Sequence, residues 1–236
     1  MSSPAAHNLV LRRLAREDYL RLEPFLDRVS LTLKQELILP GEPISHVWFP
    51  ESGMCSVIAQ VEGSEKIEVA IVGDEGMTDH ITDVGDTSVL RSIVQLKGAA
   101  LAVPALRYVE WLRDCPAAFK IVLKYQQTLI VQMAYTALSH GSFNIEERLC
   151  RWLLMSFDRS HGEDLPFVHD FLASMLGVRR SGVSTAVAII EGKGAIKATR
   201  ARIKLRDRAN LQELSGGSYG PPEAEYDRLM GPLPPA

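Results

Sequence analysis

Between Phe171 and Ile190 the chain places apolar residues at 172, 175 and 176, breaks at Gly177, and resumes at 178, 183, 187 and 190. This spacing predicts two short amphipathic helices joined by a tight turn. A turn this short needs one residue at positive φ, which glycine adopts without steric penalty, so Gly177 is expected there. On the second helix Val178, Val183, Val187 and Ile190 would face a core, leaving Arg179, Arg180, Ser181, Ser184 and Thr185 on the opposite face. Those five are donors suited to phosphates and base edges, although the two helices alone fit an ordinary helical hairpin with a solvated arginine pair equally well. After Gly192-Lys193-Gly194, a two-residue period over 198–206 puts Ile203 and Leu205 inward and Arg202, Lys204 and Arg206 outward. That pattern predicts a charged hairpin, with Arg200 on it.

Upstream, Leu9, Leu14, Leu20, Leu22, Phe25 and Leu26 among charged residues predict a helical region over 9–29. From about 30 to 103 the pattern changes to short alternating runs such as Lys66-Ile67-Glu68-Val69-Ala70-Ile71. They are punctuated by Pro40-Gly41, Pro50, Ser52-Gly53, Glu62-Gly63, Gly73, Gly85 and Lys97-Gly98. Many short strands so spaced predict a small jelly roll or barrel. Pro104 opens a helix and Cys115-Pro116 punctuates it. A much longer helix follows, over about 117–139.

In that helix Phe119, Leu123, Gln126, Ile130, Met133 and Ala137 repeat at the spacing of a coiled-coil seam, while Val122, Leu129 and Val131 make a second face apolar. A core helix would account for one stripe; a helix covering its own barrel and pairing with a second subunit accounts for both. His140-Gly141-Ser142-Phe143-Asn144 reads as a hinge. A helix then resumes over 145–159 with Leu149, Trp152, Leu153 and Phe157 on one face. The Gly/Pro-rich tail after 215 is expected to be loosely ordered apart from Ala224–Met230. The fold class is α+β: an antiparallel β-roll with its long helix over 1–143, a winged helix-turn-helix over 144–215, and a tail over 216–236.

Charge sharpens this picture. Residues 171–210 hold nine Lys or Arg against Glu191 and Asp207, a net +7, while the whole chain of 236 residues is −3. Positive charge sorted onto the helix-turn-helix is the electrostatic footprint of a nucleic-acid binder. The composition, 46% hydrophobic, is that of an ordinary globular protein. The start, Met1 to Asn8, lacks a basic stretch leading into an apolar run, and no apolar run of membrane length occurs, so the expectation is a cytoplasmic protein with no membrane partner. Cys55, Cys115 and Cys150 are far apart and expected to be reduced. Together with the scattered His7, His46, His80, His140, His161 and His169 they show no metal-ligand spacing. Gly216-Gly217-Ser218-Tyr219-Gly220 spells a G-x-S-x-G nucleophile elbow, but that motif needs a buried strand before it and a helix after it. Here it follows the polar stretch 210–215 and runs into Pro221-Pro222, so an enzyme is not expected.

The order of β-roll, long helix, hinge and winged helix-turn-helix resembles the cyclic-AMP receptor protein/FNR (Crp/Fnr) family of bacterial transcription regulators, over nearly the whole chain. The resemblance is carried by residues 46–54 (HVWFPESGM), 72–77 (VGDEGM), 147–154 (ERLCRWLL) and 172–180 (LASMLGVRR). It implies a homodimer paired through the long helix, with two recognition helices in successive major grooves of double-stranded DNA at a pseudo-palindromic site, and RNA polymerase as a further partner. Arg180 matches the family's recognition-helix arginine, which by resemblance donates to a guanine edge. Ser181 and Thr185 stand where better-known members carry longer charged side chains, so the sequence read would differ.

The resemblance also implies a cyclic-nucleotide cassette, in which a glutamate holds the ribose and an arginine clamps the cyclic phosphate. Glu75-Gly76 and Arg91-Ser92-Ile93-Val94 are near matches, but Arg91 sits one place off when Val94 is aligned, which on a strand turns it to the other face unless a bulge restores the register. No cofactor is therefore expected, with a cyclic-nucleotide-responsive regulator as the alternative and a ligand-binding module without DNA binding as the remote one. An iron-sulfur sensor of this family would use an N-terminal cysteine cluster, and no cysteine precedes Cys55.

Overall fold

The computed structural model describes residues 6–61, 66–78, 81–162, 164–199 and 201–232. In chain order the elements are α1 (Leu9–Arg12), α2 (Arg16–Leu22), a 3-10 turn (Glu23–Phe25), β1 (Asp27–Leu31), β2 (Glu36–Ile38), β3 (His46–Gln60), β4 (Lys66–Val72) and β5 (Arg91–Pro104). There follow α3 (Ala105–Asp114), α4 (Pro116–Ser142), α5 (Ile145–Ser160), β6 (Asp164–Leu165), α6 (His169–Leu176) and α7 (Arg180–Gly192). The last are β7 (Ile196–Thr199), β8 (Arg202–Leu205), α8 (Arg208–Leu214) and α9 (Pro221–Met230).

The predicted β-roll is an antiparallel sheet in the order β1-β5-β3-β4, with β2 also pairing β5. It uses two long strands where the turn signals predicted many short ones. Pro50 and Gly53 fall inside β3, where register shifts between Pro50 and Cys55 bend the pair without ending it. Close backbone approach at the bend requires glycine, because a Cβ on Gly98 would lie 2.1 Å from the Ser52 carbonyl oxygen. Residues 27–29, expected in a helix, form the edge strand β1 instead, since Asp27, Arg28 and Val29 pair with Ala102, Leu101 and Ala100. The other edge, β4, is closed by a side chain of α4: the Ile71 N–H donates to Gln132 Oε1 at 2.7 Å and Gln132 Nε2 donates to the Ile71 carbonyl at 3.2 Å.

Helix α4 runs unbroken to Ser142, so the expected hinge over 140–144 shrinks to Phe143 and Asn144. There Asn144 caps α5 in a reciprocal capping box with Glu147, at 3.0 and 2.9 Å. The expected division at 143/144 separates helices but not cores. Met54, Ile58 and Ile71 of the sheet share one apolar cluster with Leu149, Leu153, Met175, Val183 and Ile203 of the helix-turn-helix half. A second cluster joins α1, α2, α3 and the first half of α4 to Tyr226 and Met230 of α9. The piece Ala224–Met230, set apart from the expected looseness of the tail, is thus part of a docked helix. That helix begins at Pro221, where proline suits the first turn, and buries Pro222, Tyr226 and Met230. Cys55, Cys115 and Cys150 are free and buried.

Candidate nucleic-acid interface

Helix α6 ends at Gly177 in the left-handed conformation, φ +61°, as the turn requires. A Cβ there would also press on Ile67 of β4 at 3.2 Å, so glycine lets the turn approach the sheet. Helix α7 buries Val183, Ala186, Val187 and Ile190 and leaves Arg179, Arg180, Ser181 and Thr185 exposed. Val178 is half-buried. Arg179 is the N-cap residue of α7 rather than part of it, and Arg180 opens the helix.

Ser184 departs from its expected role. It is half-buried, and its Oγ lies 2.9 Å from His169 Nδ1 of α6, so its hydroxyl ties the two helices together. The Thr185 hydroxyl donates to the Ser181 carbonyl at 3.1 Å. Arg180 Nε pairs with Asp170 Oδ1 at 3.2 Å. Both side chains are about two-thirds exposed, and such a pair contributes little, about 0–1 kcal/mol, so it leaves the two terminal guanidinium nitrogens available for other acceptors.

The wing is β7 paired with β8, Ile196 opposite Leu205 and Thr199 opposite Arg202, and β6 adds a third strand that two residues of sequence could not signal. Ile203 is buried and Arg202 and Arg206 exposed, as the alternation required, while Lys204 is half-buried. Arg200 lies outside the described residues. Glu191 couples the end of α7 to the wing through Lys197 Nζ at 2.8 Å and the Ala198 N–H at 3.2 Å.

The cassette residues are not brought together. Glu75 is buried and ion-paired with Arg159 of α5, Nε to Oε1 at 2.7 Å, and its other oxygen accepts the Gly73 N–H at 2.9 Å. Burial works against the charge on Arg159, but Glu75, with Asp158 and Glu223, outweighs it and raises the guanidinium pKa. Gly76 lies against the Tyr125 hydroxyl, which a Cβ would meet at 2.2 Å. Arg91 pairs with Glu36 and lines a different cleft, of about 600 Å³, with Lys66, Ser174 and Gly177. Pairing with β3 runs without a shift from Arg91 to Val94, so no bulge against β3 moves Arg91 to the other face.

The seam residues Phe119, Leu123, Ile130 and Ala137 are exposed on α4, Ile130 by 59%. Gln126 and Met133 are half-buried, Met133 because it packs beside Leu129 and Val72. Ser218, the central residue of the G-x-S-x-G match, is buried in turns between α8 and α9, its hydroxyl donating to the Ser215 carbonyl at 2.6 Å. No strand precedes it there. Among the described residues there is no cluster of three metal-ligating side chains and no helix long and apolar enough to cross a membrane.

Between the halves Glu68 of β4 is buried. It accepts the Trp152 indole N–H at 2.5 Å and the Ser56 hydroxyl. Burial pushes its pKa up to about 7, from 4.5. His140 is pushed down to about 4 by burial and by Arg148. The folded state therefore holds a proton on Glu68 that the unfolded chain releases, and this stability is lost as pH rises from 4.5 through 7. His140 acts oppositely, and its stability is lost as pH falls from 6.5 through 4. Glu68→Gln keeps an acceptor for the Trp152 N–H without a charge, and its amide donates to the Ser56 oxygen, reversing the bond in which that hydroxyl donates to the carboxylate. It should gain on the order of 3 kcal/mol over wild type at pH 8 and little at pH 4. Urea unfolding at both pH values checks this, and equal gains at the two would contradict it.

Residues 147–214 match the Crp-like helix-turn-helix domain. No curated protein matches the chain. Among solved structures, FixK2 from Bradyrhizobium japonicum superposes with a TM-score of 0.68 at 15% identity, over 80% of this chain and 96% of that one. The c-di-GMP responsive regulator CLP of Xanthomonas campestris gives 0.64 at 15% identity over 81% and 99%. A crp/fnr family transcriptional regulator from Eubacterium rectale gives 0.64 at 14% over 86% and 95%. Residues 147–214 are therefore a Crp-like helix-turn-helix domain, and the chain around them has the fold of the Crp/Fnr transcription regulators.

Proposed function

We propose that this protein is a sequence-specific transcription regulator that binds a two-fold DNA site as a homodimer without needing cyclic AMP or cyclic GMP. The observation that carries the reading is the exposed start of α7, where Arg179, Arg180, Ser181 and Thr185 stand clear of the core. A helix of that exposure fits the major groove, and the wing reaches the flanking phosphates. The apolar seam left open on α4 supports the homodimer. The ion pairs that occupy Glu75 and Arg91 separately support independence from a cyclic nucleotide.

Selection from a random duplex library should enrich a pseudo-palindrome with half-sites about one helical turn apart. Arg180→Ala should lose about 1–3 kcal/mol of discrimination at one base pair per half-site. Lys204→Ala should weaken all duplexes alike and flatten the salt dependence. Enrichment of nothing palindromic would count against the regulator reading, and a micromolar calorimetric affinity for cyclic AMP that Arg91→Ala abolishes would count against independence from it.

A further inference from the structure

We propose that α9 acts as an internal ligand of the sensor half: docked between the Glu75 loop and α4, it stands in for a diffusible effector and holds the DNA-binding half in one arrangement. This rests on the regulator reading above and adds what sets its conformation.

The chain after α8 is bonded to both halves within a few residues. The Ser218 carbonyl accepts from Arg151 Nε at 3.0 Å, and the Tyr219 hydroxyl donates to Asp158 Oδ2 at 2.8 Å, both partners lying on α5. Seven residues after Tyr219 the Tyr226 hydroxyl donates to the Glu75 carbonyl at 2.8 Å, and Arg13 donates to the carbonyls of Met230 and Gly231. The segment therefore crosses from the helix-turn-helix half to the sheet half, and it meets the sheet at the residue whose carboxylate is paired with Arg159 of α5. Two links join the halves at Glu75, one through its side chain and one through its backbone.

The space that remains is small. Glu75, Tyr125, Gln132, Arg159, Glu223 and Tyr226 surround a cavity of about 20 Å³, room for about one water molecule and far below what a nucleotide needs. A ligand shifts an equilibrium only by its differential affinity for the two states, and in this arrangement the segment 218–231 bonds to both halves, through Ser218 and Tyr219 to α5 and through Tyr226 to Glu75. Being tethered, it is present at an effective concentration on the order of millimolar, so a diffusible competitor must outbind that. Docking leaves Leu123 and Ile130 of the pairing seam exposed, so it does not compete with a second subunit.

Hydrogen exchange and operator titration on the full chain test this, comparing wild type with Tyr226→Ala/Met230→Ala and with Tyr226→Phe, which keeps the packing and removes one hydrogen bond. In the double variant, protection should fall over α9, residues 73–76 and residues 151–159, and operator affinity should fall about tenfold or more while binding to random duplex holds. Tyr226→Phe should show the same changes at about two- to fivefold. If α9 exchanges freely while α5 protection and operator affinity are unchanged, the proposal fails. If operator affinity rises, α9 is an inhibitor and the proposal is overturned in sign. Should wild type select no operator, the regulator reading fails by itself, and the exchange over 151–159 still decides whether α9 couples the halves.

Discussion

Arg159→Ala should destabilise the protein by about 3–5 kcal/mol, the effect of leaving one member of a buried ion pair without its partner. Glu75 is within the core, 4% exposed, and Arg159 supplies its only opposite charge at bonding distance among the described residues. The protein cannot solvate the stranded carboxylate without opening the junction between the sheet and α5. The double variant Glu75→Gln/Arg159→Met removes both charges and should recover most of the loss, because the attraction and the desolvation penalty disappear together. Urea unfolding of the two variants measures this. A loss below about 1 kcal/mol for Arg159→Ala would mean that water reaches the pair and that the junction is looser than its packing.

The second large effect is expected on assembly. Ile130→Glu places a carboxylate in the middle of the seam, where a two-fold axis would set it against its own copy. Ile130 is the position to change because it is 59% exposed, whereas Met133 packs on Leu129 and Val72 and its loss would disturb the fold as well. Sedimentation should show monomers, and the thermal midpoint should fall and lose its dependence on protein concentration. Operator affinity should fall by about 10²–10⁴, since the second recognition helix no longer benefits from being tethered to the first. An unchanged dimer would place the interface elsewhere than on α4.

The helix-turn-helix was legible because each of its signals is local. Apolar spacing, a glycine forced by positive φ and a two-residue period in the wing all act within a few residues of themselves, and α6, α7, β7 and β8 lie close to where that pattern put them. The long helix was legible for the same reason, down to its two apolar faces. The number of strands was misread because Pro50 and Gly53 are ordinary turn signals, and only pairing with β5 across the sheet decides that the chain bends there and continues. Helix α8 and strand β6 are too short to carry a period of their own.

The sensor half shows where local signals end. Glu75 and Arg91 each resemble a cassette residue in their immediate neighbours, yet their partners are Arg159 and Glu36, 84 and 55 residues away. Nothing near Glu75 in the chain announces Arg159, and nothing in the Gly/Pro-rich stretch after Ser215 announces that Tyr226 reaches the Glu75 carbonyl. The amino-acid sequence by itself determined the element types, the charge sorted onto the helix-turn-helix and the second apolar stripe on α4, because propensity, periodicity and charge add up along the chain. Only the tertiary structure decided that the two halves share a core, that the cassette residues are taken up by ion pairs, and where the helix in the tail docks. A buried charge or hydroxyl settles on whichever partner the fold brings within reach, and that choice is made in space.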